Sequence, residues 1–195
     1  MPGGRPREFD VNQALDRAMD VFWKRGYEAA TLPELTAAMG INKPSLYAAF
    51  GSKEQLFRKA VERYVNGPAG YLSEAMRQPS ARAAVEAMLA GGIDVVTDPN
   101  RPGGCLIIQG ALSCSEDAEC LKNEMAALRE AGMHLLRKRL EAAKRDGELP
   151  SDTDCADLAR YFMCVMHGMA VQAAGGATRK QLQSVVAVAM RAWPV

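Results

Sequence analysis

The stretch from Thr31 to Lys53, TLPELTAAMGINKPSLYAAFGSK, constrains the chain more than any other. Thr31 and Glu34 have the spacing of a capping box, and Pro33 falls in a first turn, where proline is tolerated, so a short helix opens here. Leu32, Leu35 and Met39 give that helix one apolar face. Gly40 ends it, because glycine turns the chain without a Cβ clash. After Ile41, Asn42 is placed to cap a second short helix with Pro44 in its first turn and Leu46 and Phe50 on its inner stripe. Leu35, Ile41 and Leu46 then close a small core that fixes the angle between the two helices. Lys43, Ser45, Ala48 and Ala49 remain on an outer face that is small and polar. This is a helix-turn-helix pattern, whose second helix enters the major groove of DNA. The spacing alone also suits helical proteins that bind no nucleic acid.

The flanks extend the pattern. Asp10 with Gln13 caps a first helix whose Leu15, Ala18, Met19 and Phe22 share a face, with Gly26 as its stop. Ser52 with Gln55 opens a longer helix carrying Leu56, Phe57, Ala60, Val61 and Tyr64 inward. Gly67-Pro68 breaks the chain, which predicts a DNA-binding domain over 1–66 and a second domain over 67–195.

The run MGINKPSLYAAFGSKEQLF, preceded by AMDVFWKRGYEAATLPEL, resembles the TetR family of bacterial regulators over about residues 10–65. Thr36 stands where that family often has Ala, and Ala49 where it often has His. The resemblance implies an all-α protein of about nine helices: an N-terminal three-helix helix-turn-helix domain and a larger helical ligand-binding and dimerisation domain. It implies a sequence-specific, homodimeric DNA-binding regulator, a repressor released from a palindromic operator by a small molecule. Carried onto this chain, it places Lys43, Pro44 and Ser45 against bases or nearby phosphates, Tyr47 and Lys53 on phosphates, and Thr31 on the DNA backbone. Arg5 and Arg7, on the N-terminal arm, would add nonspecific affinity or enter the minor groove.

Beyond residue 67 the pattern stays helical, with helices expected at about 69–77, 81–97, 104–114, 118–146, 153–174 and 178–192. The family pairs through its last two long helices. Met163, Gly168, Ala170, Ala173 and Ala174 are therefore the expected dimer interface, small residues for close approach and methionine for filling gaps. A methionine-rich interior suits an apolar or amphipathic ligand. Tyr71, Met76, Met88, Leu106, Gln109, Met125, Phe162, Met166 and His167 are the candidate pocket walls, though each also reads as plain core. His134 lies in a charged stretch and is expected in solvent. Cys105 follows Pro102-Gly103-Gly104 and opens an apolar helix, where the dipole favours thiolate. A similar Gly-Cys-Leu run occurs in an electrophile-sensing branch of the family, so a redox or electrophile sensor at Cys105 is the alternative to a reversible ligand. A buried small hydrophobe is the plainer reading of that residue.

Composition bounds the remainder. The net charge of +1 gives no nucleic-acid signal by itself, and the N-terminal 65 residues carry ten Lys/Arg against eight Asp/Glu. The first seven residues lack the apolar run of a signal peptide. Tyr161 to Thr178 is uncharged, but His167, Gln172 and Gly175-Gly176 argue for a buried helix rather than a membrane span. Five cysteines without a CxxC pair read as reduced thiols in the cytoplasm, with no structural metal and no cofactor. No nucleophile and base, paired carboxylates or phosphate loop supports an enzyme. The acidic cluster Glu116-Asp117-Glu119 reads as a solvated helix start.

Overall fold

Asp10 sets the first element. In the computed structural model its carboxylate accepts the backbone N–H groups of Asn12 and Gln13, opening α1 (Val11–Ala29). The structure describes residues 9–110, 115 and 118–194. Among them are ten α-helices, two short 3-10 helices and no strand, against about nine helices expected. Gly26, at φ 73° and ψ 174°, is non-helical and interrupts α1 where a stop was expected; a short second stretch runs on to Ala29. The positive φ there favours glycine, and just past the kink the Tyr27 N–H donates to the Gly110 carbonyl at 3.0 Å.

The next three helices are α2 (Leu32–Met39), α3 (Lys43–Phe50) and α4 (Lys53–Asn66). Thr31 Oγ1 accepts the Glu34 N–H, but the other half of the expected capping box is not made, because Arg25 engages the Glu34 carboxylate at 3.1 Å. Ser52 and Gln55 form the full box at the start of α4. The apolar faces read from the sequence meet in one core of Ala18, Met19, Phe22, Leu35, Leu46, Phe50, Leu56, Phe57 and Tyr64, all essentially sealed from solvent. Trp23 joins it and packs edge-on against Tyr64 with ring centroids 4.7 Å apart.

Beyond Gly67 the chain forms a 3-10 turn over Pro68–Gly70 and α5 (Tyr71–Ala75), where one continuous helix was expected. The rest comprises α6 (Ala81–Val96), the single-turn α7 (Leu106–Gln109), α8 (Glu119–Arg145), α9 (Cys155–Ala174) and α10 (Arg179–Ala189). A second core gathers Val85, Met88, Leu89, Leu136, Leu140, Phe162 and Met163 from α6, α8 and α9. The two cores are not divided cleanly at residue 66. Leu106, Leu121 and Met125 are buried in the first core although they lie in α7 and α8, so the larger unit grips the smaller one directly. Among the described residues no helix is long and apolar enough to cross a membrane.

Candidate DNA interface and effector cavity

Gly40, at φ 68° and ψ 30°, caps α2, and its N–H donates back into that helix. Asn42 Oδ1 then accepts the Ser45 N–H at 2.8 Å and starts α3 two residues later. The left-handed turn and the buried Leu35 and Leu46 hold the two helices in a fixed relation. Leu46 and Phe50 are buried, which turns the opposite face of α3 outward. Lys43, Pro44, Tyr47 and Ala48 are exposed, and Ser45 and Ala49 are half-buried.

Tyr47 is 43% exposed, an unusual position for a large aromatic ring. Lys43 Nζ stands 5.8 Å from its ring centroid, so the lysine beside Tyr47 on this face is Lys43. Lys53 instead lies over the Tyr27 ring at 4.5 Å, with its ammonium donating to the Glu28 carbonyl oxygen. Sequence reasoning missed Tyr27, a residue 26 positions upstream of the lysine it supports. Thr31 is exposed, but its hydroxyl oxygen is already used as the α2 cap. Thr36 donates to the Leu32 carbonyl at 2.9 Å, so this departure from the family pattern is absorbed within α2. Arg5 and Arg7 lie outside the described residues.

The candidate effector residues do not form one pocket. Tyr71, Met166 and His167 line a cavity with Tyr64, Cys105 and Ile108, but its volume is only about 20 Å³, room for roughly one water. Met88, Phe162 and Leu106 are wholly buried packing residues, Met76 packs against the second core, and Met125 lies apart from them, buried beneath the surface between α4 and α8. Gln109 is folded over Gly104, and its buried Oε1 has no hydrogen-bond partner among the described residues. Burial, then the nearby Arg129 charge, holds the His167 imidazole below its usual value and favours the neutral ring. His134 is exposed.

Cys105 is the N-cap residue of the four-residue α7 rather than the start of a long helix; 111–114, including Cys114, lie outside the described residues. The Tyr64 hydroxyl donates to Cys105 Sγ at 3.2 Å. Burial, then Cys105 itself, pushes the Tyr64 phenol upward and keeps it protonated as a donor. Cys120 is exposed, and hydrogen bonding to Glu124 raises its thiol, which opposes thiolate formation.

Several contacts that the sequence did not disclose fasten the two units together. Trp23 Nε1 donates to the Gly104 carbonyl at 3.1 Å, and Tyr27 N donates to the Gly110 carbonyl at 3.0 Å. Arg58 on α4 makes a two-pronged pair with Glu124 on α8, its Nη2 lying 2.8 Å from Oε1. Ser115 donates from both its backbone N–H and its hydroxyl to Glu28.

On α9 and α10 an outer apolar face remains: Tyr161, Val171, Val185 and Val188 are exposed. Of the expected dimer residues, Gly168 and Ala174 are exposed and Ala173 is half-buried. Met163 and Ala170 are buried in the protomer's own core, because their helical positions point toward α6 and α8 rather than away.

A glycine-hinged pair of short helices with a buried inner side and a solvent-facing second helix defines a helix-turn-helix protein. The comparisons refine that class. Residues 14–60 match the family described as bacterial regulatory proteins, tetR family, and residues 81–189 match a tetracyclin repressor-like C-terminal domain. The chain is 32% identical over 193 residues to the HTH-type transcriptional repressor ComR of Escherichia coli K12, covering 98% of this chain and 92% of that protein. A cysteine mutant of the TetR family transcriptional regulator CifR, solved with 26bp double-strand operator DNA, superposes with a TM-score of 0.94 at 43% identity, covering 97% of this chain and all of that one. A TetR regulator from Rhodococcus sp. RHA1 is 41% identical over 95% of this chain and 99% of its own, with a TM-score of 0.64. The chain belongs to the TetR family of bacterial transcriptional regulators.

Proposed function

We propose that this protein is a homodimeric repressor that binds a palindromic operator through α3 and leaves it when a small molecule acts on the larger unit. It works in the cytoplasm as a binding protein and not as an enzyme. The observation that carries the DNA role is the outward face of α3, where Tyr47 and Lys43 stand exposed over a buried Leu46 and Phe50. Lys43, Pro44 and Ser45 are assigned to bases or nearby phosphates, Tyr47 and Lys53 to phosphates, and Thr31 to the backbone. The operator complex of the similar CifR and the repressor name of ComR support this reading.

Two half-sites are read together only at a matched spacing, about 34–36 Å per helical turn. A ligand that favours a different separation of the two α3 helices lowers operator affinity by its differential binding to the two states. The links at Trp23, Tyr27 and Arg58 are the parts through which a change in the larger unit reaches α1 and α4. The test is a salt titration of binding to DNA upstream of the protein's own gene, with random DNA as control. Preferential binding, with log affinity falling linearly in log salt, is expected. Equal weak binding to both DNAs would remove that site as the operator.

A second reading rests on Cys105, which lines the same small cavity and accepts from Tyr64. Its sulfur would add to the activated carbon of an unsaturated carbonyl, with its proton ending on the adjacent carbon, and the adduct would press on α4 through Tyr64. Mass spectrometry after treatment with N-ethylmaleimide, together with DNA release by Cys105→Ser, separates the two readings. A serine variant still released by the reagent would sink the covalent one.

A further inference from the structure

The expected cavity is nearly closed, yet an apolar groove of about 500 Å³ lies open on the flank of the molecule between α4 and α8. Val61 and Val65 form one wall, and Met125, Ala127 and Leu128 the other. The α4 residues that line it, Arg58, Val61, Glu62, Val65 and Asn66, recur at helical spacing along a single face, giving a trough about 12 Å long. Val61 and Met125 are buried and floor the groove, while Ala127 is exposed at its lip. A groove of this size with an apolar lining and a few rim charges has the make-up of a small-molecule site.

The rim charges select the ligand. Arg58 is the cation in the lining, and it is already committed between Glu54 at 2.7 Å and Glu124 at 2.8 Å. Glu62, also in the lining, makes no ion pair among the described residues. Arg129, on the neighbouring turn of α8, is turned to the Ile107 carbonyl. The lining therefore holds one guanidinium and two carboxylates; Glu124 is neutralised by Arg58, and Glu62 leaves one negative charge over beside an apolar trough. We propose that the α4–α8 groove binds a small cationic amphiphile, its apolar body against Val65, Met125 and Leu128 and its positive charge beside Glu62 and Glu124. The groove joins the last helix of the DNA-reading unit to the longest helix of the other, so an occupant bears on their separation. That consequence rests on the ligand-release reading above; the binding itself does not.

Calorimetric titration of the full chain with tetraphenylphosphonium, and separately with tetraphenylborate, tests the assignment, since the two ions match in shape and differ in the sign of charge. The cation is expected to bind at least about tenfold more tightly than the anion, the factor carried by about 1.4 kcal/mol. Glu62→Gln should weaken the cation several-fold. Ala127→Trp, a change at an exposed helix position that fills the trough, should abolish binding while circular dichroism stays unchanged. Equal affinity for the two ions, no binding of the cation, or undiminished binding by Ala127→Trp would each overturn the proposal. Adding the cation to the DNA complex reads the joined claim separately. Saturable binding lost in Ala127→Trp, with DNA affinity unmoved, would keep the groove and overturn the release reading.

Discussion

The indole N–H of Trp23 in α1 donates to the carbonyl oxygen of Gly104, 81 residues away, across 3.1 Å of buried space. The next residue, Cys105, accepts from Tyr64 on α4, and Tyr64 packs edge-on against Trp23. These contacts close a ring through α1, α4 and the segment before α7. The DNA-reading unit is therefore locked to the larger one through its own core and not through a surface patch.

Trp23→Phe tests that ring. It leaves the Gly104 carbonyl without its donor in a buried setting and opens space beside Tyr64, which together cost about 2–4 kcal/mol. Denaturant unfolding should show the midpoint falling. If the ring also carries the signal between the units, the variant should release DNA less completely at saturating ligand. An unchanged midpoint would mean that water replaces the indole.

The Arg58–Glu124 pair makes a prediction about pH. The hydrogen bond from Arg58, opposed by partial burial and helped by the Cys120 thiol, holds the Glu124 carboxyl below its ordinary value near 4.5. A carboxylate lowered on folding contributes stability that is fully present above its unfolded value and is lost as pH falls through the folded one. Because both side chains are about 40% exposed, the contribution is only about 0.5 kcal/mol. The melting temperature of Glu124→Gln should lie slightly below wild type at neutral pH, and the gap should close in acid below the ordinary carboxylate range. A gap that persists there would assign the effect to packing and not to charge.

Gly40 should be sensitive in a narrower way. Its left-handed conformation costs an L side chain about 1–2 kcal/mol, and the nearest atom to an added Cβ is the tip of Arg17, 3.4 Å away. Gly40→Ala is expected to lose that much stability with no steric clash to relieve. Nuclear magnetic resonance shifts confined to α2 and α3 would fit a local strain; loss of the whole spectrum would point to a larger role for the turn.

Local signals were legible where a residue and its partner lie within one or two turns. Asp10, Asn42, Ser52 and Gly40 act at the ends the sequence assigned them, because capping is settled by three or four neighbouring residues. The inward stripe Leu56, Phe57, Ala60, Val61 and Tyr64 was equally readable as a period. Gly26 interrupts the helix where a stop was read, but the bond from the Tyr27 N–H to the Gly110 carbonyl, 83 residues on, lay beyond the reach of local pattern. A separation of 66 residues likewise hid the Arg58–Glu124 pair. Periodicity also could not say which side of α9 faces inward, since Met163 and Ala170 on one face and Gly168 on the other are all compatible with burial.

The exposed face of α9 and α10 yields the last prediction. Val188 is 61% exposed and Val171 54%, and a Cβ added to Gly168 would meet nothing within 4 Å. These positions contribute little to the fold of one protomer. In a two-fold dimer the same patch appears on both subunits, so a charge placed in it faces an identical charge or a desolvated apolar partner. Val188→Glu should therefore leave the helical content intact but shift the protein from dimer to monomer, as read by light scattering at micromolar concentration. Operator affinity should fall by at least about a hundredfold, because a single α3 can engage only one half-site at a time. Retention of the dimer by Val188→Glu would place the interface elsewhere. A monomer that keeps full operator affinity would refute two-fold reading of the DNA.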